Sequence, residues 1–198
     1  PMHSKYFPVL SGILCLAFQK IISNIQLIHA HRTYPAGYNA VIIGKLLVLP
    51  TIITPHGDDI LTVPEIDYGI NLIKKYRKKS IFALKNADAI IALNEGMKNE
   101  CIKLGVPSEK IHCIPIGINI YKFNDNIRLQ SKINRGKNLI AVGRYHPVKG
   151  YENLLKAMAI VIEHDPEIKC TIIGKNANRL FDLVEALSLQ DNIKLVGQ

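Results

Sequence analysis

Short apolar runs alternate with longer stretches of helical period along most of the chain. Seven runs are short, rich in β-branched residues and bounded by helix breakers, which is typical of strands: IQLIHA, TIIT, ADAIIAL, KIHCIPI, NLIAVG, IKCTIIG and NIKLVG. Apolar residues at i, i+3 and i+4 predict helices over 37–49, 65–86, 94–104, 151–164 and 177–189. We therefore predict a doubly wound α/β protein, and the continuous apolarity of the strands predicts that both sheet faces are covered.

Two segments depart from this alternation. The early apolar run VLSGILCLAF at 9–18 is well short of the ~20 residues that a membrane span needs, and it lacks the flanks of a signal peptide. We predict that it forms a buried helix. Residues 118–137 are polar and have no sustained period, which predicts an interdomain linker. The predicted boundaries are a first domain over 1–120, a linker over 121–137 and a second domain over 138–198.

The composition narrows the choice of partner. The 198 residues carry a formal charge of +9, which favours an anionic partner such as nucleic acid, an acidic membrane surface or a phosphorylated small molecule. The four cysteines lie far apart without a C-x-x-C pair, so neither a zinc knuckle nor a disulfide framework is indicated. This cysteine usage predicts a reducing, cytoplasmic location.

The loop GRYHPVKG at 143–150 concentrates positive charge between a predicted strand and a predicted helix. In an open α/β sheet, ligands bind beyond the carboxyl ends of the strands, where this loop lies. Arg144 offers a planar fork for phosphate oxygens and Lys149 a mobile charge, while Gly143 and Gly150 allow the backbone to come close. The helix that follows adds its positive end. The pattern predicts a phosphate site, and the alternative is a solvated turn.

Three segments resemble retaining glycosyltransferases of family 4, which have the GT-B fold. They are VGRYHPVKGYENLLKA, LIHAHRTYPAGYNAVIIGKLLVLPTIITPHGDDI and NADAIIALNEGMKNECIKLGVPSEKIHCIPIGINIYKF. The resemblance implies two Rossmann-like domains and transfer of a hexose-type sugar from a nucleotide-diphosphate sugar to a glycan or lipid-linked acceptor. The pathway implied is the synthesis of cell-surface polysaccharide or glycolipid. Arg144 and Lys149 would hold the donor diphosphate beside Gly143, and no cofactor is expected.

The resemblance also implies site residues in the first domain. His56, after the predicted strand TIIT, would be the catalytic residue near the reactive carbon of the sugar or the acceptor. His31, Gly57, Asp58 and Asp59 would lie on the acceptor side of the cleft. An imidazole at the end of a strand can donate to a leaving phosphate or a sugar hydroxyl, and the alternative for His56 is a purely structural hydrogen bond.

A metal site is the alternative to this assignment. His29 and His31 flank one residue and so share a face of a strand, a spacing that suits metal ligands, with His56 or Asp58 as a third ligand. The resemblance implies a metal-independent transferase, and Asp58-Asp59 is not the D-x-D of the other transferase fold. We therefore predict no metal.

A lysine-rich stretch at 71–85 is predicted to be an amphipathic helix. Its cationic side holds Lys74, Lys75, Lys78 and Lys79, and its apolar side holds Ile73, Ile81 and Leu84. The cationic side is either a solvated face or a peripheral contact with the anionic inner face of the cell membrane, which would suit a lipid-carried acceptor.

Three departures from the family pattern lead to further expectations. Asn119 stands where the family has Asp, and IIGKNAN lacks the family's second glycine, so backbone contacts to the base are not expected there. The chain ends before the position of two donor-binding glutamates, so we expect an inactive internal fragment with both domains incomplete. The alternative is a truncated, non-catalytic binding or scaffolding protein. A nucleic-acid-binding role is not expected, because aromatic stacking motifs are lacking.

Overall fold

The computed structural model describes residues 7–123 and 136–197. The chain divides into two compact units, Pro1–Ile118 and Asn119–Gln198. Most of the predicted linker, at 124–135, lies outside the described residues.

The first unit is a four-stranded parallel sheet with helices between its strands. Its elements are α1 (Phe7–Ser23), β1 (Ile28–His31), α2 (Tyr38–Leu47), β2 (Thr51–Thr54), α3 (Lys74–Asn86), β3 (Ala89–Ala92), α4 (Glu95–Lys103) and β4 (Ile111–Cys113). The strands pair in the order β1-β2-β3-β4. Ile53, Leu84 and Ile90 are completely buried, so the core lies between the sheet and its helices. All carboxyl ends of the strands therefore meet at one edge of the sheet.

The second unit repeats this plan with three parallel strands. Its elements are β5 (Asn138–Val142), α5 (Tyr151–His164), β6 (Lys169–Ile173), α6 (Phe181–Ala186) and β7 (Ile193–Val196), and the strands pair in the order β5-β6-β7. Leu155, Ile172 and Leu180 form the centre of its core. Each of the seven predicted strands is present in the described part of the chain, and the predicted α/β class is confirmed.

The predicted helix over 65–86 is wrong in its first half. Pro64 and Gly69 shape this region into two short 3-10 turns, Pro64–Ile66 and Ile70–Leu72, and α3 begins only at Lys74. Gly69 has a φ of 112°, and a Cβ there would lie 2.2 Å from the carbonyl oxygen of Leu61. A helix cannot run through such a position, so the apolar period alone overestimated the helix.

The expectation that the early apolar run is buried is also wrong. The helix α1 forms and packs against α2. Four of its apolar side chains are nevertheless 60–84% exposed: Leu14, Phe18, Ile21 and Ile22. No helix among the described residues combines the length and the apolar character needed to cross a membrane.

Full coverage of both sheet faces fails at β5. This strand lies at the edge of its sheet with β6 as its neighbour. Leu139, Ile140 and Val142 are 46%, 67% and 74% exposed. Within the described residues, β5 therefore has exposed apolar side chains instead of being covered on both faces. The sequence pattern identifies the strand as apolar but does not identify the element that covers it.

Candidate functional site

Two loops of the first unit are joined residue by residue at the carboxyl ends of β1 and β2. The last residue of β1 and the two residues after it contact residues after β2. The contacts are a ring-to-ring hydrogen bond of 2.8 Å, an ion pair of 2.6 Å and a backbone-to-carboxylate bond of 2.6 Å. We call these contacts the loop lock, which consists of the pairs His31–His56, Arg32–Asp58 and Thr33–Asp59. The lock brings together most of the residues that the sequence placed on the acceptor side.

Asp59 is the buried anchor of the loop lock. Its side chain is completely buried, and its Oδ1 accepts hydrogen bonds from the backbone amides of His56 and Gly57 at 2.8 and 3.1 Å. Its Oδ2 accepts from the amide of Thr33 at 2.6 Å. A buried carboxylate is stable in an apolar interior only with such partners. Asp59 therefore holds the loop that carries His56, and its carboxylate is not exposed to solvent.

Asp58 lies at the surface of the same loop. It accepts a hydrogen bond from Arg32 at 2.6 Å, and the two side chains are 34% and 42% exposed. This hydrogen bond raises the pKa of Arg32 above its ordinary value. An exposed ion pair stabilises the fold by only about 0–1 kcal/mol. Asp58 thus keeps part of its carboxylate accessible at the carboxyl edge of the sheet.

Three imidazole rings lie in a row at this edge. The rings of His29 and His31 have centroids 4.7 Å apart, and those of His31 and His56 are 5.1 Å apart. His29 and His31 therefore share a face, as their spacing predicted. His29 is bonded through Nε2 to the Thr54 hydroxyl at 2.8 Å. In the described part of the chain, no group of three His, Cys, Asp or Glu side chains is arranged to hold a metal ion.

The pH dependence of stability should reflect His29. Burial, and secondly the neighbouring His31, lower the pKa of His29 below its ordinary value of 6.5. The unfolded chain therefore binds a proton at His29 more readily than the folded chain does. The free energy of unfolding is thus higher above pH 6.5 and decreases as the pH falls through that value. We expect the urea concentration at the unfolding midpoint of the wild type to decrease when the pH is lowered from about 7.5 to about 5.5. These two pH values lie about one unit above and below the ordinary pKa of histidine. The His29→Gln variant should show a smaller fall, and an equal fall in both would contradict this assignment.

The second unit carries the predicted phosphate loop after β5. The loop turns through one 3-10 segment, Pro147–Lys149, and Gly150 has a φ of 67° immediately before α5. Arg144 and Lys149 are both exposed, and neither side chain has a hydrogen bond or ion pair with another described residue. Lys149 lies two residues before Tyr151, so the loop ends at the positive end of α5. The arrangement suits a multiply charged anion.

Close backbone contacts hold this loop to the ends of the neighbouring strands. A Cβ on Gly174 would lie 1.9 Å from the carbonyl oxygen of Gly143, and one on Gly197 would lie 2.3 Å from that of Gly174. The amide of Tyr145 also donates to the carbonyl of Lys175 at 2.8 Å. Neither Gly174 nor Gly197 was predicted as a site residue from the sequence, although each directly follows a β-branched strand as Gly143 does.

An open groove lies beside these glycines at the carboxyl ends of β6 and β7. It has a volume of about 670 Å³ and is lined by Ile173, Gly174, Lys175, Asn176, Val196 and Gly197. Asn176, at the place of the missing second glycine, has a φ of 63°. Asparagine tolerates this left-handed conformation better than most residues. The loop thus keeps a glycine-like backbone, and the missing glycine is not by itself a reason to expect the backbone contacts to be lost.

The site residues fall into two sets in different units. His31, His56, Gly57 and Asp58 lie at the carboxyl edge of the first sheet, with Asp59 beneath them. Gly143, Arg144 and Lys149 lie at the carboxyl edge of the second sheet. Each set occupies the edge at which open α/β sheets bind ligands.

Known protein families match both parts of the chain. The model of Glycosyltransferase Family 4 matches residues 1–122, and that of Glycosyl transferases group 1 matches residues 123–198. The putative teichuronic acid biosynthesis glycosyltransferase TuaC of Bacillus subtilis (strain 168) is 27% identical over 140 residues, which cover 67% of this chain and 34% of that relative. The chain therefore spans about a third of the length of that curated relative.

Solved structures resemble the chain in fold. The Anabaena HepE structure with UDP and glucose has a TM-score of 0.71 at 18% identity, over 100% of this chain and 53% of that one. The sucrose-phosphate synthase of Thermosynechococcus elongatus has a TM-score of 0.68 at 18% identity, over 100% of this chain and 51% of that one. These likenesses extend through both parallel sheets.

Proposed function

Since this chain belongs to glycosyltransferase family 4 and has the two Rossmann-like units of the GT-B fold, we propose that the whole protein is a retaining glycosyltransferase. It moves a hexose-type sugar from a nucleotide-diphosphate sugar to an acceptor, without a cofactor. The relative TuaC, which is named as a teichuronic acid biosynthesis glycosyltransferase, supports a role in making cell-surface polysaccharide or glycolipid.

The observation that carries this proposal is the pair of free cations in the loop after β5. Arg144 and Lys149 are exposed and lack partners among the described side chains, so their charges are available to a ligand. A guanidinium binds phosphate oxygens through two parallel hydrogen bonds, and the amides of the first turn of α5 add further donors. A diphosphate carries enough charge to occupy all of these groups. The UDP bound in HepE supports a uridine or similar diphosphate as the donor class.

His56 is the proposed catalytic residue of the first unit. It is exposed at the carboxyl edge, while its backbone is held by Asp59. Its imidazole would donate a hydrogen bond to the sugar or to the departing diphosphate. Asp58, with Gly57 and His31 nearby, would form the acceptor side of the site. The acceptor hydroxyl attacks from the face that the diphosphate leaves. Rate acceleration then comes mainly from electrostatic stabilisation of the leaving group and from positioning.

The whole protein should be assayed for transfer with a set of nucleotide-diphosphate sugars. Transfer should release one nucleoside diphosphate for each glycoside formed. Proton NMR of the first-formed product should show the same anomeric configuration as the donor. An inverted product would refute the retaining mechanism, and diphosphate binding without transfer would favour a non-catalytic binding protein.

A peripheral contact with anionic membrane is part of the proposal and rests on α3. Its exposed cations Lys74, Lys75, Lys78 and Lys85 lie at helical spacing on the same face as Phe82, which is 39% exposed; we call these five residues the basic face of α3. None of these lysines has an ion pair with a described carboxylate. The predicted member Lys79 lies elsewhere, with its ammonium over the rings of Tyr34 and Tyr38 at 5.0 and 4.7 Å. A basic surface around one aromatic ring suits the headgroup region of a bilayer.

Vesicle binding tests this contact. The Lys78→Gln variant should bind phosphatidylserine-containing vesicles about fivefold more weakly, because one cation near such a surface contributes ~1 kcal/mol. Lys156→Gln, which changes an exposed lysine of α5, should bind as the wild type does. Co-sedimentation at two salt concentrations measures both variants. Equal binding to neutral and anionic vesicles would show that the basic face of α3 is an ordinary solvated surface.

A further inference from the structure

We propose that His31 is a positioning residue for His56: its ring fixes the orientation and tautomer of His56, so that only Nδ1 of His56 is presented to substrate. This inference rests on the proposed function, since it supposes that His56 contacts the reacting sugar or phosphate. The sequence placed His31 on the acceptor side of the site. The structure shows its Nδ1 bonded to His56 Nε2 at 2.8 Å.

The bond between the two rings couples their protons. A neutral imidazole has one donor and one acceptor nitrogen, so the nitrogen of one ring must donate while that of the other accepts. If the Nδ1–H of His31 donates, His56 carries its own proton on Nδ1; if the Nε2–H of His56 donates, its Nδ1 is an acceptor. The proposed role of His56 as a donor to the sugar or diphosphate requires the first arrangement, in which the Nδ1–H of His31 selects the Nδ1-protonated tautomer of His56. Its Nδ1 has no partner among the described residues and is the remaining nitrogen for a ligand.

The backbones of both residues are held in addition to the bond between their rings. The backbone amide of His56 donates to Asp59, and His31 pairs in register with Thr54 across the sheet. On the other side of His31 lies the ring of His29, tilted by 33° at 4.7 Å. His29 is in turn bonded to the hydroxyl of Thr54. The ring of His31 therefore lies between two other imidazoles, those of His29 and His56.

Such support is what a reacting group on a loop requires. Placement errors of about 1 Å can reduce a rate about 100-fold, and side chains on loops are held less precisely than those on strands. His31 lies on β1 and so transfers the rigidity of the sheet to His56. A contact with the acceptor is not needed to explain why a histidine stands at this position.

The test combines NMR and kinetics on the whole protein with nitrogen-15-labelled histidine. The ring signals of His56 are identified as those lost in His56→Ala. In the wild type they should show one protonated and one unprotonated nitrogen, and in His31→Ala they should show the averaged values of a free imidazole. His31→Ala should lower kcat about 10- to 100-fold with little change in the KM for the donor.

Two further variants complete the test. His31→Asn should restore the single-tautomer signals and most of kcat, because its amide can occupy about the position of the Nδ1 atom. His164→Asn, a change at the end of α5, should match the wild type in both readouts. Unchanged His56 signals in His31→Ala, or changed signals with unchanged kcat, would overturn the positioning role. Full activity of His56→Ala would show separately that the catalytic assignment of His56 is wrong.

Discussion

The Asp59→Ala variant is expected to lose ~3 kcal/mol or more of its free energy of unfolding, with a corresponding loss of transfer activity. The substitution leaves three backbone amides, those of Thr33, His56 and Gly57, without their acceptor. Each unpaired buried donor costs about 1–3 kcal/mol. Urea denaturation of the whole protein, followed by a probe in the first unit, measures the effect.

The adjacent residue provides the matched control. Asp58→Ala removes a carboxylate that is 34% exposed and bonded to Arg32, so its effect on unfolding should stay within about 1 kcal/mol. Asp59→Asn should lie between the two, since its amide oxygen can serve one set of donors but its NH₂ group cannot accept from another. If Asp59→Ala and Asp58→Ala were equally stable, the anchoring role of Asp59 would be wrong.

Arg144→Ala and Lys149→Ala should each weaken the binding of a nucleoside diphosphate to the whole protein by ~1.5–3 kcal/mol, the scale of a charge-assisted hydrogen bond. Arg144→Lys should recover only part of this loss, because an ammonium cannot make the two parallel bonds of a guanidinium. The free energy of unfolding should barely change, since both side chains are exposed and unpaired within the described residues.

Titration calorimetry with a nucleoside diphosphate and with its monophosphate distinguishes phosphate recognition from a general effect of charge. Arg144→Ala and Lys149→Ala should each weaken the binding of the diphosphate more than that of the monophosphate, because the second phosphate makes the additional contacts. Lys156→Ala, which removes an exposed cation of α5 outside the loop, should leave both affinities unchanged. Equal losses for the two ligands would mean that the loop after β5 is a solvated turn.

The local sequence was sufficient to predict the positions of the strands and of the loop at 143–150. A strand such as TIIT is specified by its own β-branched residues and by the breakers beside it. The loop at 143–150 follows such a strand, so its position at the carboxyl edge followed from topology. Helix length was less predictable, because Gly69 interrupts the period through a backbone contact with Leu61 that is visible only in three dimensions.

The different roles of Asp58 and Asp59 could not be predicted from the sequence. The two residues are chemically identical neighbours, yet one is exposed and ion-paired while the other is completely buried. Their difference depends on partners in the preceding loop, Arg32 and Thr33, which are 26 positions away along the chain. Periodicity carries no information about such pairs. The exposure of α1 and β5 was missed for a related reason, since apolarity does not identify the covering element.

The spacing of the loop lock bears on the order in which the protein folds. Its three contacts join residues separated by 25 or 26 positions, so all of them close within the single crossover of β1, α2 and β2. Contacts of short sequence separation require little loop-closure entropy and tend to form early. The histidine pair and its buried carboxylate can thus take shape before β3 and β4 join the sheet, which makes this half of the site a local product of one βαβ unit.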